Sequence, residues 1–148
     1  RRACRCTERQ IGQYAGKISG PLLDRIDLHV EAAPVDREKL MERRSGATSR
    51  EIAEEVASAR AVQSRRYAGR PTPVNAAMTP GDIGKFCLLD GATETILKSA
   101  VAEFGLSARA FSRILKVART IADLEGAESI LMDHVLEAVQ YRRADVRA

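Results

Sequence analysis

Two arginines stand where chemistry on a phosphate is possible. They are Arg25, in the stretch SGPLLDRIDL of residues 19–28, and Arg109, in SARAFSRILKVARTIADLEG of residues 107–126. A guanidinium offers a planar fork of donors that matches phosphate oxygens and stays charged at any physiological pH. Arg109, Arg113 and Lys116 fall on one helical face and Phe111, Ile114, Leu115, Ala118, Ile121 and Ala122 on another. One side therefore packs while the other presents cations, either as a solvated polar face or as an arginine aimed at a phosphate. Arg109 and, one turn on, Arg113 are the nucleotide-binding candidates. Arg25 lies between apolar positions, a costly place for a charge unless it projects outward. One reading is a surface salt bridge with Asp24 or Asp27, worth about 0–1 kcal/mol. The other is an arginine presented to a neighbouring subunit's nucleotide, where it offsets the charge of a departing phosphate. Arg25 is the catalytic candidate.

The elements that must position these residues are mostly helical. Thr48 with Glu51 forms a capping-box pattern that opens a helix running to Gly69, with a weak stripe of Ile52, Val56 and Ala59. Arg60, Arg65 and Arg66 near its end suit the helix dipole and require no other role. Residues 70–77 hold two prolines and read as a loop. Thr79 and Pro80 open a short helix, and Asp90 caps the next, whose Leu97, Ala100, Val101 and Phe104 end at Gly105. The helix that begins at Ser107 stops at Gly126, and a last one from about 132 to 142 packs through Val135, Leu136 and Val139. Ahead of these helices, Ile26, Leu28 and Val30 alternate with Asp27, His29 and Glu31 and predict a strand closed by Pro34. A lone strand lacks a partner edge. Residues 1–20 show little periodicity and are expected to be irregular, and residues 36–47 read as a linker. The fold class expected is mainly α, a helical bundle preceded by a strand-bearing, partly disordered stub.

Other chemistry finds little support. Cys4-x-Cys6 is half of a zinc site, and no second close pair follows it. Both are weak metal candidates, and no metal is expected here. Cys87, among Phe86, Leu88 and Leu89, reads as a small core residue, and His29 and His134 as surface or boundary residues. There is no glycine-rich loop ending in Lys-Ser/Thr and no nucleophile-base constellation, so self-contained catalysis is not expected. The chain has 148 residues, starts with Arg rather than Met, and reads as part of a longer protein. Its +4 charge is compatible with nucleic acid without demanding it. Three cysteines point to a reducing compartment, and no apolar run approaches a membrane span.

Three stretches in this order, CRCTERQIGQYAGKISGPLLDRIDLHVEA, GLSARAFSRILKVARTIADLEG and HVLEAVQYR, resemble the C-terminal part of magnesium-chelatase-like AAA+ ATPases. The resemblance favours the competence-type (ComM) branch over the chelatase subunit. It implies that residues 1–47 end an α/β ATPase core and that residues 48–148 form an all-α lid. It makes Arg25 an arginine finger acting in trans across a ring interface, with Asp24 the acid before it. Arg109 becomes the sensor-2 arginine, and Cys4 and Cys6 the downstream half of a four-cysteine insert. It further implies ATP and Mg2+ as cofactors of the full-length protein, with none held tightly by this part alone. The partners implied are further copies in a ring, most simply a hexamer, and DNA, in the cytoplasm. The alternatives are an ATPase subunit serving metal insertion into a porphyrin and a stand-alone basic helical module that binds nucleic acid.

Overall fold

The computed structural model describes residues 5–32 and 46–142, and Cys4 and most of the expected 36–47 linker lie outside them. The described residues form seven α-helices and one 3-10 turn, without a strand. The helices are α1 (Glu8–Ala15), α2 (Gly20–Leu23), α3 (Ser49–Arg66), α4 (Pro80–Phe86), α5 (Gly91–Glu103), α6 (Ala108–Leu124) and α7 (Met132–Gln140). The 3-10 turn, Asn75–Ala77, lies between α3 and α4. The mainly α, bundle-type fold is as expected.

Local chemistry explains where the helices begin. Thr48, Thr79, Asp90 and Ser107 each accept a hydrogen bond from a backbone N–H three residues on, so one orphan donor is satisfied at each entry. At Thr48 and Thr79 the acid three residues later closes the box. Gly105 and Gly126 take φ of 57° and 72°, which lets the chain reverse after α5 and after α6. Those two reversals fix both ends of α6.

α6 is the central element and packs against α3, α4, α7 and the 3-10 turn. Its stripe is buried as read: Ile114, Leu115, Ala118, Ile121 and Ala122 meet Leu97 of α5 and Val135, Ala138 and Val139 of α7. Leu136 was expected in this core but is exposed, because Ala138 takes the inward position. In α3 only Ala59 of the three stripe residues is buried, and Ile52 and Val56 remain exposed.

Cys87 sits in the core with its Sγ 3.7 Å from both Met78 Sδ and the Leu115 carbonyl. Burial pushes its thiol up to about 11, so little thiolate forms near neutrality. A thiol reagent at pH 7 is expected to leave Cys87 unlabelled until denaturant is added. Labelling of Cys87 at the native rate of an exposed thiol would contradict this placement.

A charged cluster lies beside the apolar core. Asp123, with a side chain only 1% exposed, accepts both prongs of Arg66 at 2.5 and 2.6 Å. It also accepts Arg119 Nε at 3.1 Å and Asn75 Nδ2 at 2.8 Å. Arg119 continues to the carbonyls of Ala127 and Glu128, holding the α6–α7 turn. Asn75 Oδ1 in turn accepts from Arg66 and from the Tyr67 hydroxyl. Arg66, read as a simple dipole partner, is therefore a core tether, and the 70–77 loop supplies a buried hub.

The N-terminal stretch differs from expectation in two ways. Residues 8–15 are helical rather than irregular, because Thr7 and Gln10 form a reciprocal capping box. Neither α1 nor α2 buries a residue. Residues 26–32 form no strand, since no neighbouring edge supplies a ladder. The apolar set is not buried either: Ile26, Leu28 and Val30 are exposed, as are Asp27 and Glu31, while His29 is half-buried with both ring nitrogens shielded and without a hydrogen-bond partner among the described residues. The His29 N–H donates to the Tyr141 carbonyl at 2.8 Å, and with Arg142 on the Ile26 carbonyl and Arg113 on Asp27 this ties the stretch to the bundle.

Candidate functional site

The start of α6 and the turn after α2 meet at one end of the bundle. Ser107 caps α6 through Ala110 N–H at 3.1 Å, and the same hydroxyl donates to Asp24 Oδ1 at 3.0 Å. Asp24 caps the C-terminus of α2 and precedes Arg25, so one short hydrogen bond brings the Arg25 segment to the Arg109 turn. The bonded pair is 83 residues apart in the chain, and it brings the two basic stretches together.

Arg109 occupies the first turn of α6. Its side chain is exposed, and no hydrogen bond or ion pair holds it among the described residues. The first turn of α6 carries no acidic residue, and a helix N-terminus disfavours a cation. Arg109 therefore adds positive charge where the helix already presents its positive end, an arrangement suited to an external anion. Arg109→Ala is expected to change stability by under about 0.5 kcal/mol. A drop of several degrees in Tm would instead make Arg109 a structural residue.

Arg25 is exposed as well. Its guanidinium makes one bond at the far limit of the hydrogen-bond range, to the Pro21 carbonyl at 3.3 Å. Neither Asp24 nor Asp27 pairs with it, so the simple surface salt bridge is not formed. Asp24 serves other partners, accepting from Ser107 and from Arg142 Nη2 at 3.2 Å. Asp27 pairs with Arg113.

Arg113, the other nucleotide-binding candidate, has its guanidinium engaged within the chain, on Asp27 and on the Arg25 carbonyl at 2.5 Å. Lys116 donates to the Ala76 carbonyl at 3.0 Å and is likewise engaged.

Arg142 is the residue that sequence reasoning missed. It follows α7, and its side chain is 5% exposed. It donates to the Ile26 carbonyl and to Asp24 Oδ1. Burial lowers its pKa from the ordinary guanidinium value, the Asp24 charge opposing this and Arg113 adding to it. No periodicity marks such a residue, because its partners are 116 and 118 positions away.

Cys6 is exposed, and no group of three His, Cys, Asp or Glu side chains among the described residues could hold an ion. His134 is buried rather than at the surface. Its Nδ1 accepts the Leu131 N–H at 2.9 Å, which leaves Nε2 to donate to Glu125 at 2.9 Å. That is a capping role. No helix among the described residues is long and apolar enough to cross a membrane.

Comparison with known proteins places this arrangement. Competence protein ComM of Haemophilus influenzae is 39% identical over 93% of the chain and 26% of its own length. The uncharacterized protein YifB of Salmonella typhimurium is 38% identical over 95% of the chain and 27% of its own. An uncharacterized protein of Mycobacterium bovis is 31% identical over 97% and 28%. The chain thus spans about a quarter of the length of the curated relatives it matches. The family described as magnesium chelatase, subunit ChlI, matches residues 1–40. With the ChlI C-terminal description matching residues 46–142, the chain belongs to the magnesium chelatase ChlI C-terminal family.

Proposed function

We propose that this chain supplies the arginine-finger and lid part of a ring-forming, ATP-driven motor that acts on DNA. Residues 1–47 would end the ATPase core and residues 48–148 form the lid. Arg25 serves as the finger in trans, and Arg109 as the sensor-2 arginine. The observation that carries the reading is the contrast at residue 25. Its backbone is held by Arg113 and its neighbours by Arg142 and Ser107, yet its guanidinium stays exposed, with the Pro21 carbonyl as its one partner among the described residues. A protein that invests in fixing the backbone of an outward arginine is presenting it.

ATP with its Mg2+ supplies the phosphoryl bond to be broken. Arg25 and Arg109 donate to oxygens on which negative charge builds as that bond opens, and neither needs to gain or lose a proton. Ser107 and Asp24 keep the two segments together. DNA as the substrate of the motor is favoured by similarity to a protein named for competence. Metal insertion into a porphyrin is the second reading, favoured by the chelatase description of the matching family.

The test is ATP hydrolysis by a full-length protein carrying this segment. Hydrolysis stimulated by DNA is expected, without any need for porphyrin or partner subunits. Hydrolysis indifferent to DNA but dependent on those partners would move the task to chelation. An assembled ring with no ATPase would overturn the motor.

A further inference from the structure

The contacts around residues 24–29 form a clasp whose parts come from α6 and from the residues after α7. From the start of α6, Ser107 Oγ donates to Asp24 Oδ1. From six residues further along, Arg113 of α6 grips the Arg25 carbonyl and Asp27. From beyond α7, Arg142 reaches the carbonyl of Ile26 and the carboxylate of Asp24, with a longer approach to the Asp24 carbonyl at 3.5 Å. The Tyr141 carbonyl accepts the His29 N–H. Two arginines meet two aspartates, so the charge inside the clasp balances.

The chemistry of the clasp is directional. Every backbone carbonyl from Asp24 to Ile26 faces a guanidinium, while the side chain of Arg25 is the one cation of the group left outside. Arg142 is the most enclosed member and spans two residues on either side of Arg25, a geometry that one fork-shaped side chain can hold and an ammonium cannot.

We infer that Arg142 is a positioning residue for Arg25, and that it and Arg113 lock the Arg25 segment to the bundle so that Arg25 and Arg109 move as one body. The inference rests on the nucleotide role proposed above for the two exposed arginines. It adds that their relative placement is set by the residue after α7, far from either in sequence.

Hydrogen–deuterium exchange on the 148-residue chain reads the clasp directly. Arg142→Ala should speed exchange of the amides of residues 24–29 by about tenfold or more, while those of residues 114–122 in the α6 core stay unchanged. Unchanged exchange at residues 24–29 would overturn the clasp. Faster exchange along all of α6 would overturn it as well, by making Arg142 a general fold residue.

In a full-length protein carrying the segment, Arg142→Ala should lower kcat for ATP by about a hundredfold with KM little changed, the cost of roughly 1 Å of misplacement. Arg142→Lys should recover only part of the loss, since it keeps the charge but not the fork. Full turnover in Arg142→Ala, alongside its loss in Arg25→Ala, would overturn the positioning role and leave the proposed function standing. Full turnover in Arg25→Ala would overturn the proposed function and the positioning role with it, and exchange alone would then decide whether the clasp exists.

Discussion

Arg25→Ala is expected to lower ATP turnover about a thousandfold or more in a full-length protein carrying this segment, while its fold and ring assembly persist. The reasoning is structural. Arg25 contributes almost nothing to the bundle: its guanidinium makes one weak bond, to the Pro21 carbonyl. Among the described residues its removal breaks no ion pair, and its exposed side chain leaves no buried space behind. On the proposed function, what disappears is a positive charge offered to a neighbouring subunit's phosphate as negative charge develops there. Arg25→Lys should restore little, because a single ammonium cannot span two phosphate oxygens. Steady-state hydrolysis, paired with circular dichroism and a size measurement on the same preparations, separates loss of chemistry from loss of structure. Near-normal turnover would remove Arg25 from the reaction.

Asp123→Ala is the change expected to damage stability most. It leaves half-buried Arg66 and buried Arg119 beside each other without their shared carboxylate, and takes one of two acceptors from the Asn75 amide, which keeps Thr120. Breaking a buried pair by deleting one partner costs about 3–5 kcal/mol, which is much of the stability of a domain this size. Urea denaturation followed by circular dichroism measures it; a loss below about 1 kcal/mol would mean that the cluster is loosely held. The same carboxylate predicts the acid response. Burial alone would raise its pKa, but hydrogen bonds from Arg66 and Asn75 and the charges of Arg119 and Arg66 outweigh that and hold it below the ordinary value. A lowered native pKa contributes stability above the unfolded value, near 3.9, that is lost as pH falls through the native one. Asp82, held down chiefly by Arg70, acts in the same direction. Stability should thus begin to fall below about pH 5, and less steeply in Asp123→Ala.

Those two substitutions also mark what the amino-acid order reveals and what it conceals. Caps are short-range, so Thr48, Thr79, Asp90 and Ser107 announce their helices, and the α6 stripe announces the core. Thr7 with Gln10 carries the same signal in a polar stretch that offers no apolar face to bury, which is why α1 is easily overlooked. The exposed arginines are legible because a guanidinium among apolar neighbours is conspicuous. The Asn75 hub, the buried His134 and the reach of Arg142 leave no local trace, since each depends on partners set by tertiary packing. The 26–31 alternation misleads for the complementary reason: period two identifies a strand only when a neighbouring edge exists to accept its hydrogen bonds.

The bonds of Arg119 beyond Gly126 have a mechanical consequence. They fasten the C-terminal end of α6 to the turn that launches α7, and Asp123 fastens the same end to α3. α6 has 17 residues, a rod about 25 Å long, pivoted on ionic bonds at one extremity and bearing Arg109 at the other. A tilt of about four degrees at that pivot sweeps the tip through nearly 2 Å. Harm done at the anchored end would therefore surface as poor aim at the opposite one, in a molecule that still melts as a single unit.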